Sequence, residues 1–559
     1  MTYGAVGRRA RVKPVAAWTL AGLMGLVAAG AASGAKAADC ESLKAVKIDK
    51  LTIQSAQSIP AGAYRPPGSP QAFEDLPEFC RVVAVAHPVP GSSIGIEVWL
   101  PKAGWNGRYQ QVGNHGFSGV IQWGEMAPQL KRGFAVGATD DGHVIDPRFV
   151  ADPRAGAFVM NWAAGNQVAV VDEAWRAVHT LSQKAKLLIS GYYPDPLRAS
   201  YFNGCSNGGR QGLMEAQRFP ADFDGILAGG AAAYSTHGAT EQMVMSLNLQ
   251  KAGIQGARGA AILELAQAAE TKACDSLDGV ADGIINNPTR CHFDPHILVC
   301  KPGASGVDCI TAAQADALAA NLRPVRDPVG GRWVFGGMSP GSEFNQIRFG
   351  YHMGLAPFAV ANYSSALKDP KWNPTTFDLH RDLAVLDREK GMDNMIDPDL
   401  SAFKARGGKL IQYHGWDDAA FTPAWTTLYY DHVVSSVGHG HLAAVQDFYR
   451  LFMVPGVGHC AGGPGPNGFG EEGQPGAYDD PQHDAVSALM AWVEHGQAPD
   501  KLIATKFVAD DPKRGVQMQR PLFPYPAEAV FNGTGDPNDP TSFHKAPSTV
   551  PRRTPAAPR

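Results

Sequence analysis

Three segments of the chain carry the residue types that acyl-transfer chemistry needs. Residues 204–208 read G-C-S-N-G, a match to the G-x-S-x-G pattern that exposes a serine hydroxyl at a tight turn between a strand and a helix. Residues 414–418 read H-G-W-D-D and provide two candidate acids, and His459 follows later in the chain. In such a site the histidine takes the serine proton and the acid orients the imidazole. The order serine, acid, histidine is the order found in α/β-hydrolases.

The G-x-S-x-G pattern occurs at least three times, and only one copy has the required context. Residues 91–95 lead into a predicted strand, and residues 337–341 contain a proline and follow no predicted strand. The copy at Ser206 lies between a predicted strand that ends at Asn203 and a predicted helix that begins near Arg210. Ser206 is therefore the predicted nucleophile, and the alternative is a glycine-rich turn with an idle serine.

Alternating strand and helix patterns predict an α/β core with a largely parallel sheet. The predicted strands cover residues 81–86, 94–100, 134–137, 199–203, 224–228, 409–413 and 446–454, and the predicted helices cover residues 161–185, 210–218, 423–434 and 484–494. From about residue 232 to 400 the alternation breaks down. We therefore predict one core made of residues 38–231 and 401–534, interrupted by a single large insertion over residues 232–400.

The first 37 residues have the three parts of a secretory signal peptide. Basic residues from Arg8 to Lys13 precede an apolar run over residues 15–32, and residues 35–37 read A-K-A, an A-x-A cleavage site. A membrane anchor is the alternative for this segment. The pair Arg8-Arg9 leaves the export route open between the general and the twin-arginine systems. We expect a periplasmic or secreted protein that has no membrane contact once the signal peptide is removed.

Composition narrows the class of partner. The chain has 559 residues, a formal net charge of −4 and 18% charged residues, so it has no basic surplus to neutralise phosphates and we expect no nucleic-acid partner. Its 63 glycines and 42 prolines indicate many turns and exclude a coiled coil. The proline-rich segment over residues 535–559 predicts a disordered tail. The oligomeric state is left open by the sequence.

Eight cysteines, an even number, all follow the predicted cleavage site. In an oxidising compartment they indicate disulfides, although spacing alone allows about 105 pairings. A zinc site is the alternative, but no C-x-x-C pair occurs. Cys205 precedes Ser206 and Cys460 follows His459, so a triad would bring these two cysteines together. A disulfide there would hold nucleophile and base in reacting geometry; the alternative is that each cysteine pairs elsewhere or stays free.

On these residues the chain resembles the tannase and feruloyl esterase family, whose hallmark is a Cys-Ser…Asp…His-Cys arrangement with the two cysteines bridged. The resemblance extends over most of the mature chain and includes residues 105–108 (W-N-G-R), 113–116 (G-N-H-G), 138–140 (A-T-D), 462–465 (G-G-P-G) and 492–496 (W-V-E-H-G). It implies an α/β-hydrolase core with a large inserted lid domain. It also implies a serine esterase that cleaves esters of aromatic carboxylic acids through an acyl-enzyme.

The resemblance implies a role for each triad candidate. Ser206 would be the nucleophile, His459 the base, and Asp418 rather than Asp417 the acid, because the family's acid turn reads H-G-x-x-D. The resemblance also implies a pairing that uses all eight cysteines: Cys205–Cys460, Cys274–Cys291, Cys300–Cys309 and, as the remaining pair, Cys40–Cys80.

Further site residues follow from the same resemblance. The oxyanion would be bound by the backbone N–H groups of Asn207 and Gly116, in a loop where His115 stands at a position at which glycine is common. His414 and Phe421 flank the acid turn and are expected to face the substrate pocket. Aromatic residues of the lid are expected to contact the acyl part of the substrate, and the candidates are Phe344, Tyr351, Phe358, Tyr363 and Trp372.

Residues 274–284 are dense in carboxylates and glycines. Three aspartates within eight residues can converge on a hard cation if the backbone turns tightly, which Gly279 and Gly283 permit. The spacing does not match an EF-hand, so a solvated turn is the alternative. The resemblance places a structural Ca²⁺ ion in the lid at such a loop, with these ligands: the carboxylates of Asp275, Asp278 and Asp282 and the carbonyls of Val280 and Ile284.

The leading prediction is an exported carboxylic ester hydrolase whose partner is a small aromatic ester, such as a feruloyl or galloyl ester. Hydrolysis of mono(2-hydroxyethyl) terephthalate, the substrate of a close relative in this family, is one alternative. The alternative of another class is an exported calcium-dependent binding protein that keeps the fold without the chemistry. That alternative predicts a broken triad, and none of the three residues is missing.

Overall fold

The computed structural model describes residues 37–144, 160–303, 308–342, 368, 369, 371, 372, 374–470 and 478–547. Runs rich in β-branched and aromatic residues form its strands. In chain order the strands are β1 (Leu51–Ile59), β2 (Gly62–Tyr64), β3 (Phe73–Leu76), β4 (Phe79–Ala86), β5 (Ile94–Pro101), β6 (Arg108–Val112), β7 (Ala135–Thr139), β8 (Ala199–Cys205), β9 (Gly225–Gly229), β10 (Val325–Arg326), β11 (Trp333–Phe335), β12 (Lys409–Gly415), β13 (Tyr449–Val454), β14 (Leu502–Phe507), β15 (Val516–Leu522), β16 (Ala527–Phe531) and β17 (Phe543–Pro547).

The α-helices of the core bury one apolar face, as the recurrence of Val178, Leu181 and Ala185 at helical spacing predicts. In chain order the described α-helices are α1 (Trp123–Lys131), α2 (Gln167–Val171), α3 (Ala177–Tyr192), α4 (Asn207–Arg218), α5 (Ser235–Lys251), α6 (Gly256–Cys274), α7 (Ala312–Asn321), α8 (Leu379–Lys390), α9 (Ser401–Ala405), α10 (Pro423–Ser436), α11 (Leu442–Gln446) and α12 (Ala485–His495). A π-helical stretch, Asp172–Arg176, joins α2 to α3.

Nine strands form one sheet in the order β1-β4-β5-β7-β6-β8-β9-β12-β13. Neighbours from β1 to β7 are antiparallel, and neighbours from β7 to β13 are parallel. Every residue of β8 and β9 is buried, which is typical of parallel strands covered on both faces. Because parallel strands end at the same edge, the segments after β8, β12 and β13 meet there. These segments carry Ser206, Asp418 and His459.

Helices cover both faces of the sheet. On one face α3, α4 and α10 pack through residues such as Leu181, Leu213 and Val433. On the other face α1 and α12 pack through residues such as Leu130 and Leu489. A largely parallel sheet between two helical layers is an α/β fold, so the predicted fold class is confirmed.

A long insertion separates two strands that are neighbours in the sheet. In the parallel pair of β9 and β12, Gly225 lies opposite Lys409 and Gly229 opposite Tyr413. The chain between them, residues 230–408, contains α5 to α9 and the hairpin of β10 and β11, and it has an apolar cluster of its own. The break in alternation predicted over residues 232–400 falls within this insertion. Its definition as a separate lid domain stays a prediction.

The C-terminal segment contains more regular structure than the sequence predicts. Residues 535–559 are predicted to be disordered, yet β17 within them pairs antiparallel with β16. Phe543 packs on Phe531 and lies under the guanidinium of Arg520, which anchors this short strand. The prediction is therefore wrong for residues 535–547. Residues 548–559 lie outside the described residues.

Other elements also differ from the predictions. No strand is predicted for β1, β14 or β15, and α1 lies in a region, residues 81–137, that the sequence predicts to be rich in short strands. The predicted strand over residues 446–454 is divided between the end of α11 and β13. Of the predicted signal peptide, only Ala37 belongs to the part of the chain that the structure describes. No helix within the described ranges is long and apolar enough to cross a membrane.

All eight cysteines form disulfides, so the zinc alternative is not supported. The pairing is the one that the family resemblance implies, and that prediction is confirmed. The four bridges are Cys40–Cys80, Cys205–Cys460, Cys274–Cys291 and Cys300–Cys309.

Candidate active site

Ser206 occupies a strained turn between β8 and α4. Its backbone has φ 63° and ψ −120°, a conformation that residues other than glycine rarely adopt. The turn can close because Gly204 and Gly208 touch: a Cβ added to Gly204 would lie 2.8 Å from Gly208 Cα. This is the geometry of a nucleophile elbow. The other two copies of the pattern lack it, since Ser93 directly precedes β5 and Ser339 lies in the insertion.

The structure brings the three predicted triad residues into one hydrogen-bonded chain. His459 Nε2 lies 2.8 Å from Ser206 Oγ, and His459 Nδ1 lies 2.8 Å from Asp418 Oδ2. In a neutral imidazole with the proton on Nδ1, that N–H donates to the carboxylate and Nε2 accepts from the serine hydroxyl. This arrangement allows His459 to accept the proton of Ser206.

Asp418 is a buried carboxylate surrounded by donors. The N–H groups of Ala420 and Phe421 donate to its Oδ1 at 2.8 and 3.0 Å. Burial alone would raise the pKa of Asp418, but the charge of His459 and hydrogen bonds from His414 and His459 hold that pKa below its ordinary value. An ionised carboxylate here stabilises the imidazolium that forms when His459 takes a proton.

His414 supports Asp418 and does not face a substrate pocket. Its side chain is completely buried, with Nδ1 2.7 Å from Thr426 Oγ1 and Nε2 2.9 Å from the Phe421 carbonyl oxygen. Nε2 also lies 3.1 Å from Asp418 Oδ2. The prediction that His414 faces the pocket is therefore wrong, because β12 directs this side chain into the core. Phe421 is half-buried, and its ring centroid lies 5.5 Å from that of His459.

A disulfide joins the nucleophile turn to the histidine loop. Cys205, which precedes Ser206, and Cys460, which follows His459, have their Cα atoms 5.9 Å apart. Cys460 has φ 62°, so the histidine loop also places a residue other than glycine in the left-handed region. The bridge links the backbones of the two turns directly, and the separation of Ser206 and His459 therefore does not depend on packing alone.

Both predicted oxyanion donors lie at this edge of the sheet. The loop that contains Gly116 packs on the elbow so closely that a Cβ on Gly113 would lie 2.5 Å from Gly208 Cα. Among the described residues, the N–H groups of Gly116 and Asn207 donate to no other protein group. N–H groups that remain available beside a nucleophile are the requirement for an oxyanion hole.

A buried ion pair that the sequence analysis missed anchors the side chain of Asn207. Arg210 Nε donates to Asn207 Oδ1 at 2.6 Å, and Asn207 Nδ2 donates to Glu173 Oε1 at 3.1 Å. Arg210 and Glu173 are buried and pair with each other at 2.7 Å. Asn207 and Arg210 lie three residues apart on the observed helix α4, a spacing at which side chains meet, but the predicted helix begins only near Arg210 and so gave no signal for this contact. The sequence offered no local signal for Glu173.

An apolar cluster lies beside the triad. It includes Phe117, Ala419 and Phe421 from the core and residues of the insertion such as Met243. Trp372, one of the five lid aromatics expected to contact substrate, packs partly buried against this cluster. The other four lie outside the described residues: Phe344, Tyr351, Phe358 and Tyr363.

The predicted calcium loop has the tight turns that its glycines permit. Gly279 and Gly283 have φ of 96° and 83°, both in the left-handed region. Burial raises the pKa of Asp278 to about 6. Burial also raises the pKa of Asp282, although Arg520 opposes the shift. Carboxylates that are costly to ionise in their surroundings would gain from a bound cation.

The carboxylates of the loop nevertheless have partners within the protein. Asp275 accepts from the N–H groups of Asp282 and Gly283, both at 3.0 Å, and Asp282 pairs with Arg520. Within the described ranges, the three aspartates of the loop do not form a group with donor atoms all within 4.8 Å of one another. The donor types fit calcium, whereas the spacing is wider than that of a closed coordination shell, so the calcium site stays a prediction.

The chain is similar to known proteins over most of its length. The chain matches the family model of tannase and feruloyl esterase over residues 80–546. An uncharacterized esterase of Xanthomonas campestris pv. campestris is 38% identical over 533 residues, which cover 90% of each chain. A probable feruloyl esterase B-2 of Aspergillus terreus is 32% identical over 477 residues, covering 83% of this chain and 85% of the relative. The crystal structure of feruloyl esterase B from Aspergillus oryzae matches with a TM-score of 0.82 at 29% identity, covering 91% of this chain and 99% of that one.

Fold, site and relatives together define a carboxylic ester hydrolase on an α/β-hydrolase core. The chain belongs to the tannase and feruloyl esterase family. The predicted enzyme class is confirmed, and the alternative of a binding protein without chemistry is set aside.

Proposed function

We propose that the protein is an exported serine esterase that hydrolyses esters of aromatic carboxylic acids, such as feruloyl and galloyl esters, through an acyl-enzyme. The observation that carries this proposal is the chain of hydrogen bonds from Ser206 through His459 to Asp418, with both contacts at 2.8 Å. The similarity to proteins named feruloyl esterase supports the substrate class.

In the first half of the reaction, Ser206 Oγ attacks the ester carbonyl carbon while its proton passes to His459 Nε2. The N–H groups of Asn207 and Gly116 bind the negatively charged oxygen of the tetrahedral intermediate. The carbon–oxygen bond to the alcohol then breaks, and the alcohol leaves with the proton from Nε2. The acyl group remains on Ser206.

In the second half, water takes the place of the alcohol. His459 Nε2 removes a proton from the water, whose oxygen attacks the acyl carbon, and the same two N–H groups bind the oxyanion. Collapse of this intermediate returns the proton to Ser206 Oγ and releases the carboxylic acid. Asp418 stays ionised throughout and stabilises the charged imidazole in both halves.

Aromatic selectivity is assigned to the apolar cluster beside His459. Phe117 and Phe421 provide flat apolar surface near the reacting carbonyl, which suits a planar acyl group. The insertion contributes Met243, Leu386 and Trp372 to the same cluster, and we assign residues 232–400 the role of a lid over the site.

We also propose that the loop over residues 274–284 binds a structural calcium ion. Its ligands would be the carboxylates of Asp275, Asp278 and Asp282 and the carbonyls of Val280 and Ile284, which are all hard oxygen donors. Three carboxylates face one cation, Arg520, and this excess of negative charge supports the proposal.

The calcium assignment is tested by melting the protein in chelator and again after calcium is restored. Chelation should lower Tm and calcium should restore it, because an ion bound only to the folded state stabilises that state. The matched variant Asp278→Asn should be insensitive to both treatments. Identical melting of the wild type in chelator and in calcium would contradict the assignment.

Export is supported by the four disulfides, which form and persist in oxidising compartments. We assign residues 1–37 as the signal peptide. Expression of the full chain in a bacterial host should yield a periplasmic product whose N-terminus, determined by mass spectrometry, is Ala38. A cytoplasmic product that retains residues 1–37 would contradict the assignment.

The esterase proposal is tested with methyl ferulate, methyl gallate and mono(2-hydroxyethyl) terephthalate as substrates. The wild type should hydrolyse at least one aromatic ester, and Ser206→Ala should lose activity by several orders of magnitude. Ser93→Ala, an exposed serine in the same G-x-S-x-G pattern, is the matched control and should keep full activity. An organophosphate should modify Ser206 alone. Equal activity of the wild type and Ser206→Ala would end the proposal.

A further inference from the structure

A second cluster of ligating side chains lies far along the helix that follows the nucleophile turn. α4 begins at Asn207, and Glu215 lies two turns along it, roughly 12 Å from its start. His179 of α3 and Asp222, which lies beyond the end of α4, approach Glu215. We propose that His179, Glu215 and Asp222 bind a divalent transition-metal ion, with zinc as the preferred ion.

The three side chains converge on one point. One donor atom from each lies within 4.8 Å of the other two, which is compatible with ligands about 2 Å from a shared zinc ion. His179 Nδ1 lies 2.6 Å from Asp222 Oδ2. In the part of the chain that the structure describes, this is the group of three histidine, cysteine or acidic side chains whose donor atoms lie this close together.

Glu215 lacks the donors that a buried carboxylate needs. It is 1% exposed, and among the described residues neither of its oxygens receives a hydrogen bond from a donor group; its polar neighbour is the carboxyl group of Asp222, which has no hydrogen to donate when ionised. An isolated buried charge is costly, and burial without donors is costly even for a neutral polar group. The nearby ammonium of Lys186 donates instead to the carbonyl oxygen of Asp222. An ion between Glu215, Asp222 and His179 would supply the missing partner.

A proton shared between Glu215 and Asp222 is the competing explanation. Burial and the neighbouring charge of Asp222 raise the pKa of Glu215 well above its ordinary value, so a shared proton would also relieve the repulsion. The two explanations make opposite demands on Glu215. A bound metal ion needs Glu215 to be ionised, so replacing Glu215 by glutamine would weaken metal binding. A shared proton needs Glu215 to be protonated, and the side-chain amide of glutamine has nearly the same shape as a protonated carboxyl group and can replace it.

Contacts on both sides of the ring hold His179 in place. Its ring stacks on Phe219 with centroids 3.9 Å apart, and its Nε2 lies 3.0 Å from the Gln183 side-chain nitrogen. With a proton on Nδ1, the ring donates to Asp222 and Nε2 accepts from Gln183. When an ion replaces that proton, Nε2 carries the hydrogen, and rotation of the Gln183 amide presents its oxygen as acceptor. The side chain of His179 is 23% exposed, which gives the site access to solvent.

The charge around the cluster favours a cation. The charged groups packed nearby are Lys186, Asp224 and Arg406, and the last two pair with each other at 3.0 Å. The two carboxylates of the cluster therefore face a single unpaired ammonium. One imidazole and two carboxylates form a donor set that zinc accepts, and the ion would link α3 to the far end of α4.

Calorimetric titration of the full mature chain with zinc chloride tests the proposal. The protein is first stripped with chelator and then kept in excess calcium, so that a calcium loop does not compete. One zinc per chain should bind, and Tm should rise by about 2 °C or more when zinc is about 100-fold above Kd. Glu215→Gln should weaken binding at least tenfold and remove the Tm shift.

Two further variants make the outcome decisive. His179→Gln removes a ligand at a partly exposed position and serves if Glu215→Gln fails to fold. His296, an exposed histidine between Asp294 and Asp316, is the matched surface control, and His296→Gln should change neither stoichiometry nor shift. The proposal is overturned if the wild type binds no zinc, or if Glu215→Gln and His179→Gln both bind as tightly as the wild type. If the wild type binds no zinc and Glu215→Gln has a higher Tm than the wild type, then Glu215 and Asp222 share a proton instead.

Discussion

His414 Nε2 lies 3.1 Å from Asp418 Oδ2, the same oxygen that lies 2.8 Å from His459 Nδ1. His414 Nε2 also lies 2.9 Å from the Phe421 carbonyl oxygen, which can only accept, so Nε2 carries a proton, and Nδ1 lies 2.7 Å from the Thr426 hydroxyl oxygen. Asp418 is therefore positioned by a second, buried histidine in addition to His459.

Replacing His414 by leucine should lower kcat by about 10- to 100-fold with little change in KM, because Asp418 loses a donor and orients His459 less well. Steady-state kinetics with an aromatic ester measure the effect. His414→Gln is the control, since its amide can still donate a hydrogen bond, and it should retain most of the activity. If the leucine variant matched the wild type, the backbone N–H groups alone would suffice to position Asp418.

Removing the bridge between Cys205 and Cys460 should lower kcat by about 100-fold, because small displacements of Ser206 relative to His459 are costly. The double variant with serine at both positions should stay folded at 25 °C but melt earlier, since the bridge closes a loop of sequence separation 255. Circular dichroism and kinetics separate the two effects. The matched control removes the short-range bridge Cys300–Cys309, and it should leave kcat unchanged. Near-normal turnover without Cys205–Cys460 would show that the bridge is dispensable for the chemistry.

The anchoring of Asn207 gives a way to perturb a backbone donor through its side chain. Asn207→Ala keeps the N–H group but removes the contacts with Arg210 and Glu173. We expect kcat to fall by about tenfold and KM to change little, because an oxyanion donor acts in the transition state. Steady-state kinetics of Asn207→Ala, which give kcat and KM separately, measure this effect. A higher KM at unchanged kcat would mean that Asn207 contributes to substrate binding instead.

Glu241 makes stability depend on pH. This residue of α5 is buried, and burial raises its pKa to about 8. Between about pH 4.3, where the unfolded chain loses this proton, and pH 8, the unfolded state binds fewer protons, so the contribution of Glu241 to stability falls as pH rises.

Glu241→Gln should remove this dependence, while the Thr422 hydroxyl, which donates to Glu241 Oε1 at 2.9 Å, keeps an acceptor. The Tm of the variant minus that of the wild type should therefore grow from pH 5 to pH 8. Calorimetry of both proteins at several pH values measures this difference in Tm. Because the other titrating groups are the same in both proteins, their effects cancel and the difference reports on Glu241. A difference that stays constant with pH would contradict the pKa assigned to Glu241.

The features that could be predicted from the sequence are those that a local residue pattern encodes. Ser206 could be separated from Ser93 and Ser339 because a strand before it and a helix after it are visible in hydrophobic periodicity. The core strands over residues 199–203 and 409–413 were found because each is a short segment rich in aromatic or aliphatic residues next to a predicted turn. The placement of the acid and histidine after later strands then followed from chain order.

What the sequence did not reveal depends on contacts between distant segments. Glu173 meets Arg210 across 37 positions, and no local pattern records such a pairing. His414 was predicted to line the pocket because it neighbours the acid turn, but its position on β12 decides where the side chain goes. The strand β17 was missed because its pairing with β16 and the contacts of Phe543 with Phe531 and Arg520 join segments that a local pattern in a proline-rich stretch does not record.

The insertion begins and ends on two strands that are hydrogen-bonded to each other. Gly229 pairs with Tyr413, and the N–H of Gly230 donates to the Tyr413 carbonyl at 2.9 Å. Because β9 and β12 are parallel, the insertion leaves the carboxyl end of β9 and returns to the amino end of β12, where Lys409 lies opposite Gly225. The sheet therefore fixes the two ends about one strand length apart, roughly 13 Å. A segment whose ends are fixed in this way can change in length with little penalty from loop closure. The strands of the core carry the triad, whereas the insertion contributes only part of the apolar cluster beside it, through residues such as Met243 and Leu386. A chimera that carries a relative's insertion between residues 229 and 409 should keep the catalytic core and acquire that relative's preference.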